Sequence, residues 1–75
     1  MTQEMIEIAA KVVKLPESEV TLHCKELPEI NAYYFYNPIR GGIAVIIDEN
    51  LEKLGATSRV SFERHLQAFK DGKRN

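Results

Sequence analysis

The chain predicts an α+β fold: a two-layer sandwich, with an antiparallel sheet of three to four strands carrying both helices on one face. Three features point there. An amphipathic stretch of helical period opens the sequence and another closes it. Between them lie segments rich in β-branched and aromatic residues, separated by short turns. No connection is long enough for a crossover, so the strands pair as hairpins in the order α-β-β-β-(β)-α. Each helix has one apolar stripe to bury, and a single sheet face can receive both.

In TQEMIEIAAKVVKL, Met5, Ile8, Val12 and Leu15 recur at helical spacing, and Ile6, Ala9 and Val13 widen the stripe. Thr2 is the predicted N-cap, and Pro16 the stop, because proline disfavours helical geometry in the residue before it. SEVTLHCKEL then alternates as a half-buried strand, with Val20, Leu22 and Cys24 to one side and Thr21, His23 and Lys25 to the other. Pro28 and Asn31 punctuate a turn. NAYYFYN is the second strand and GIAVIID the third, joined through NPIRGG, whose two glycines supply permissive turn dihedrals. LEKLGAT supplies a short fourth strand. Ser61 then caps a closing helix with Phe62, Leu66 and Phe69 on one face, and Gly72 suits the left-handed position beyond its end.

Seventy-five residues make a single domain, 1–75, with a basic C-terminal tail at about 71–75. A chain of this size buries only about 60% of its unfolded surface. At 44% hydrophobic and 28% charged it has an ordinary globular composition. Its longest apolar run, Ile43 to Ile47, falls far short of a membrane span, so no membrane partner is expected. The N-terminus does not read as a secretory signal, because Glu4 and Glu7 interrupt it. Cys24 is the only cysteine, which fits a reducing, cytoplasmic location. Net charge is −1, which brings no general attraction to nucleic acid. The charge is uneven: residues 1–37 hold three lysines and six glutamates, and residues 38–75 hold seven basic and five acidic side chains. The basic terminal residues read as a solvated, frayed end.

Alternation in the strands places Tyr33, Phe35, Ile43, Val45 and Ile47 beneath the helices. An outer face of Tyr34, Tyr36, Ala44 and Ile46 is left, bordered by His23 and Lys25. Tyrosine pairs a broad apolar ring with a polar tip, and exposed clusters of this kind mark protein contacts. Tyr34, Tyr36, Ile46 and His23, with Arg40 at the tip of the NPIRGG loop, are the candidate partner-binding residues. Plain cross-strand packing is the competing explanation for the tyrosines.

Catalytic and metal chemistry find little support. His23 and Cys24 are adjacent in a strand, so they face opposite ways and cannot share a proton. His65 borders the closing helix's apolar stripe, but no third group orients it. Two histidines and one cysteine without close spacing make no zinc site, and Gly41-Gly42 leads into a strand, not the helix a phosphate cradle needs. No catalytic residue, cofactor or small-molecule substrate is inferred. The α-β-β-β-α order is shared with double-stranded-RNA-binding domains, whose closing helix opens with a lysine cluster where this chain has SFERHLQ, so nucleic acid is not the expected partner.

From Ala32 to Gly72 the run YYFY, a Pro- and Gly-bearing loop, AVIID, LGATS and VSFERHLQAFKDG resembles the second half of small bacterial immunity proteins of polymorphic-toxin systems, the immunity protein 35 type. The resemblance implies a non-enzymatic protein that binds and blocks a cognate toxin. That group carries a glycine in the hairpin after the acidic residue, where this chain has DENLEKLG, and a tryptophan near the second strand that is absent here. The alternative from the residues alone is a small homodimeric regulatory or nucleic-acid-binding module.

Overall fold

The computed structural model describes residues 1–39, 41–57 and 59–75. Helix α1 (Gln3–Val13) begins at Thr2, whose hydroxyl accepts from the Met5 N–H at 3.2 Å. It ends before Pro16, at Lys14, which turns left-handed at φ 60°. The chain then departs from expectation. Ser18 to Val20, expected to begin a strand, instead fall in a single helical turn, α2 (Glu17–Val20). Pro16 supplies a fixed φ of −62° just ahead of it, and its carbonyl accepts from the Glu19 and Val20 N–H groups at 2.9 and 3.0 Å. Glu17 and Glu19 lie in the first turn, where the helix dipole favours acids. The apolar spacing of Val20, Leu22 and Cys24 is therefore not that of a strand. Val20 is fully buried, whereas Leu22 is 74% exposed.

Four strands follow as a meander in the order β1-β2-β3-β4, all antiparallel: β1 (Cys24–Leu27), β2 (Ala32–Tyr36), β3 (Ile43–Asp48) and β4 (Lys53–Thr57). A 3₁₀ turn at Pro28–Ile30 joins β1 to β2, closed by Asn31 at φ 51°. Helix α3 (Phe62–Lys70) is capped by Ser61, as its sequence predicts, through Arg64 N–H to Ser61 Oγ at 3.3 Å. The α+β class, the antiparallel four-stranded sheet and the element order all hold.

The placement of the second helix does not. Strand register puts Cys24, Tyr33, Phe35, Val45 and Ile47 on one face, and Met5, Ala9 and Val13 of α1 pack there with Val20. Leu27, Ala32, Tyr34, Ile46 and Leu54 share the other face, and Phe62, Leu66 and Phe69 of α3 cover them. The helices thus sandwich the sheet between them. The physical reason lies in β3, where Ala44 to Asp48 are all buried: a strand apolar on both sides needs a layer on each. Ile46, expected on an open face, is fully enclosed under α3.

The terminal residues, expected to fray, are exposed yet bonded to β4. The Asn75 N–H donates to the Lys53 carbonyl at 2.9 Å, and the Asn75 side-chain amide pairs with both the N–H and the C=O of Gly55. The Arg74 guanidinium sits over the Phe69 ring, 3.6 Å from its centroid, and reaches Asp48 at 3.8 Å and Glu52 at 3.3 Å. Part of the basic terminus is therefore spent inside the fold.

The β2–β3 connection is sterically tight at one glycine. A methyl group at Gly42 would sit 2.6 Å from the Asn37 carbonyl oxygen and 2.9 Å from that of Ile39, both backbone atoms. The Gly42 N–H also donates to the Ile39 carbonyl, and Asn37 reaches across to the Val13 carbonyl at 2.7 Å, tying this turn to the end of α1. Gly42→Ala is expected to destabilise the protein by about 1–3 kcal/mol, seen as a lower urea midpoint at unchanged slope. Gly41 sits at φ 79° with open space around its Cβ position, so Gly41→Ala should cost only about 1 kcal/mol.

Candidate protein-interaction site

Helix α3 is nine residues long and starts at Phe62, so it covers only part of the face it packs on. Beyond its first turn the sheet stays open at the ends of β2 and β4 and the start of β3. There an open groove of about 450 Å³ is lined by Tyr34, Tyr36, Ile39, Val60, Ser61 and Phe62, among others. Tyr36, Ile39 and Val60 are 37%, 66% and 40% exposed. Large apolar side chains so exposed, side by side along one groove, are the surface feature that most asks for a partner.

An aromatic row runs from this groove to the core. The His23 ring meets the Tyr36 edge at 5.6 Å, Tyr36 stacks on Tyr34 at 5.8 Å, and Tyr34 makes edge contacts to Phe62 at 4.8 Å and His65 at 5.8 Å. Strand parity generates this row, since Tyr34 and Tyr36 are two residues apart on one face and the chain before β1 brings His23 alongside. Burial pushes the Tyr34 phenol above its ordinary value, and Tyr36 beside it adds to the shift. Its hydroxyl therefore stays protonated at neutral pH and can donate a hydrogen bond.

The candidate residues divide. Tyr34, Tyr36 and His23 form the row. Tyr36 is exposed, while Tyr34 and His23 are half-buried. Ile46 belongs to the core beneath α3 and touches no solvent. Arg40 lies outside the described residues. Ile39 and Val60 were missed from sequence because they fall in connections, where an apolar residue carries no periodic signal.

Cys24 and His65 have structural surroundings. The Cys24 thiol packs against the α1 cluster and donates to the Thr21 carbonyl at 3.6 Å. Burial raises its pKa despite the nearby N-terminal charge, so it is held as the thiol, the weaker nucleophile. His65 is buried with Nε2 at 2.6 Å from the Leu54 carbonyl, an oxygen that only accepts, which fixes the proton on Nε2. Among the described residues, no group of three His, Cys, Asp or Glu side chains is placed to hold a metal ion, and no helix is long and apolar enough to cross a membrane.

Compared with protein-family models, curated proteins and solved structures, the chain matches none. The groove and its aromatic row therefore carry the functional reading by their own chemistry.

Proposed function

We propose that the protein is a non-enzymatic protein-binding domain that docks its partner in the groove at the open end of the α3 face, in the manner of an immunity protein that blocks a cognate toxin. The observation that supports this is the grouping of Tyr36, Ile39 and Val60, exposed along a concave surface that Tyr34 also lines. Interface hot spots are enriched in tyrosine seated in pockets of this kind. The toxin-blocking role comes from the sequence resemblance.

The test uses two exposed substitutions, Tyr36→Ser and Val60→Ser, in the full chain. Co-expression with any toxin encoded beside its gene should relieve growth arrest for the parent protein and not for the double variant. Calorimetric affinity should fall by about 30-fold or more, the loss of about 2 kcal/mol expected at an interface tyrosine. Undiminished protection by a folded variant would reject the groove as the docking site. Light scattering decides the self-association alternative. A monomer of 8.6 kDa is expected, and a dimer that dissociates on Tyr36→Ser would replace a foreign partner with a second copy.

A further inference from the structure

Resting on that protein-binding reading, we infer that the segment seated in the groove is acidic: an apolar side chain lodged beside Tyr36 and Val60, flanked by carboxylates that meet a basic rim. The described lining of the groove is uncharged, and the rim is assigned to Lys25, Arg59 and Arg64, which adjoin its lining residues. Lys25 holds its ammonium 4.6 Å from the centroid of the Phe62 ring, which lines the groove. Arg59 is exposed next to Val60, and Arg64 is exposed in the first turn of α3. Among the described residues the salt bridges are those of Arg74 alone, so these three cations are not neutralised within the fold. From Thr57 to Leu66 the sequence holds a single acid, Glu63.

The two-sided architecture gives the sequence's uneven charge a direction. Residues 1–23, which form the α1 and α2 layer, carry two lysines and four glutamates. Residues 58–75, which include α3, carry five basic and two acidic side chains. The sheet separates the two layers. With Arg74 paired to Asp48 and Glu52, the α3 layer keeps four other cations against Glu63 and Asp71, while the α1 and α2 layer holds the acidic excess. Such a field steers an acidic partner to the groove side and repels it from the other. Tyr34, which lines the groove, keeps its phenol protonated and so carries a neutral donor suited to a carboxylate. A polynucleotide is the other polyanion to weigh. Base stacking needs several free aromatic faces in a row, whereas Tyr34 is hemmed by Tyr36, Phe62 and His65, and one face of Tyr36 is taken by Tyr34. The exposed apolar side chains of Ile39 and Val60 suit an aliphatic side chain instead.

The experiment is an amide chemical-shift titration of the full chain with three probes: a short peptide alternating aspartate with leucine, the same peptide with lysine for aspartate, and single-stranded oligouridylate. The acidic peptide should move the Tyr36, Ile39, Val60 and Phe62 amides. It should bind about ten-fold tighter than the lysine peptide in low salt, the size three rim charges supply, with the gap closing in about 1 M salt. Arg59→Glu with Arg64→Glu should abolish that preference, and both sites are exposed, so the fold is kept. Equal binding of the two peptides, shifts centred elsewhere, or tighter binding of the oligouridylate would overturn the acidic-segment inference. The toxin assay separates this from the wider reading. If Tyr36→Ser with Val60→Ser abolishes protection while Arg59→Glu with Arg64→Glu leaves it intact, the groove binds protein and only the acidic chemistry is wrong. If neither pair alters protection, the docking reading itself fails.

Discussion

Ile46→Ala is expected to destabilise the protein by about 2–5 kcal/mol, measured as a fall in the urea midpoint. Ile46 is fully buried between β3 and α3, grouped with Leu27, Ala32 and Phe69, with Tyr34, Leu54, Phe62 and Leu66 packed around them. Removing its outer carbons leaves a cavity that the hydrogen-bonded strands on either side cannot close. A chain of this length has a total stability of roughly 4–11 kcal/mol, so the loss is a large share of the whole. The same substitution discriminates between architectures. On an open outer face, Ile46→Ala would lie within about 0.5 kcal/mol of the parent, as surface changes do. A small effect would therefore contradict the placement of α3, and with it the boundaries of the groove.

Most of the fold was legible because local signals and tertiary packing agree. Thr2 and Ser61 cap the helices that their sequences announce, and Asn31, Gly41 and Gly42 make the turns. The misreadings share one cause, the use of alternation where it did not apply. Val20, Leu22 and Cys24 alternate by coincidence, since Pro16 and the two glutamates behind it wind the chain into α2 before any strand begins. The run Ile43-Ala44-Val45-Ile46-Ile47 alternates in nothing; an unbroken apolar stretch in a strand is the mark of burial on both faces. Read that way, it would have placed one helix on each side of the sheet.

The candidate site was legible only in part, for a related reason. Tyr34 and Tyr36 were found because strand parity fixes their side, and His23 because it lies close by in the chain leading into β1. What leaves Tyr36 open and Ile46 closed is the length and position of α3, a helix of nine residues that stops short of the end of β2. That boundary is a tertiary fact, set by where the chain leaving β4 lands. It also converts Ile39 and Val60, unremarkable in their loops, into the rim of a groove. Under the proposed docking role, function would follow from incomplete coverage: the helix buries enough of the face to stabilise the sheet and leaves the rest open.

On the opposite side of the sheet, Phe35→Ala is expected to cost about 3–5 kcal/mol and to leave the protein close to unfolded at ambient temperature. Phe35 is fully buried, stands beside Val45 across the strand pair, and packs among Met5, Ala9, Val13 and Val20, so it anchors both α1 and α2 to the sheet. Alanine would remove the ring that fills the space between those elements. The two clusters lie on opposite faces but share β2 and β3, and that decides how the loss spreads. Because both helices depend on the same strands, amide protection in α1 and α3 should fall together in hydrogen exchange, as in a single cooperative unit. Selective loss of α1 protection, with α3 still guarded at its parent level, would mean that the sheet and α3 stand without the other layer. The groove would then sit on a substructure independent of α1. A milder substitution, Phe35→Leu, keeps most of the volume and should cost less than half as much while preserving partner binding, since Phe35 and the groove lie on opposite faces of the sheet.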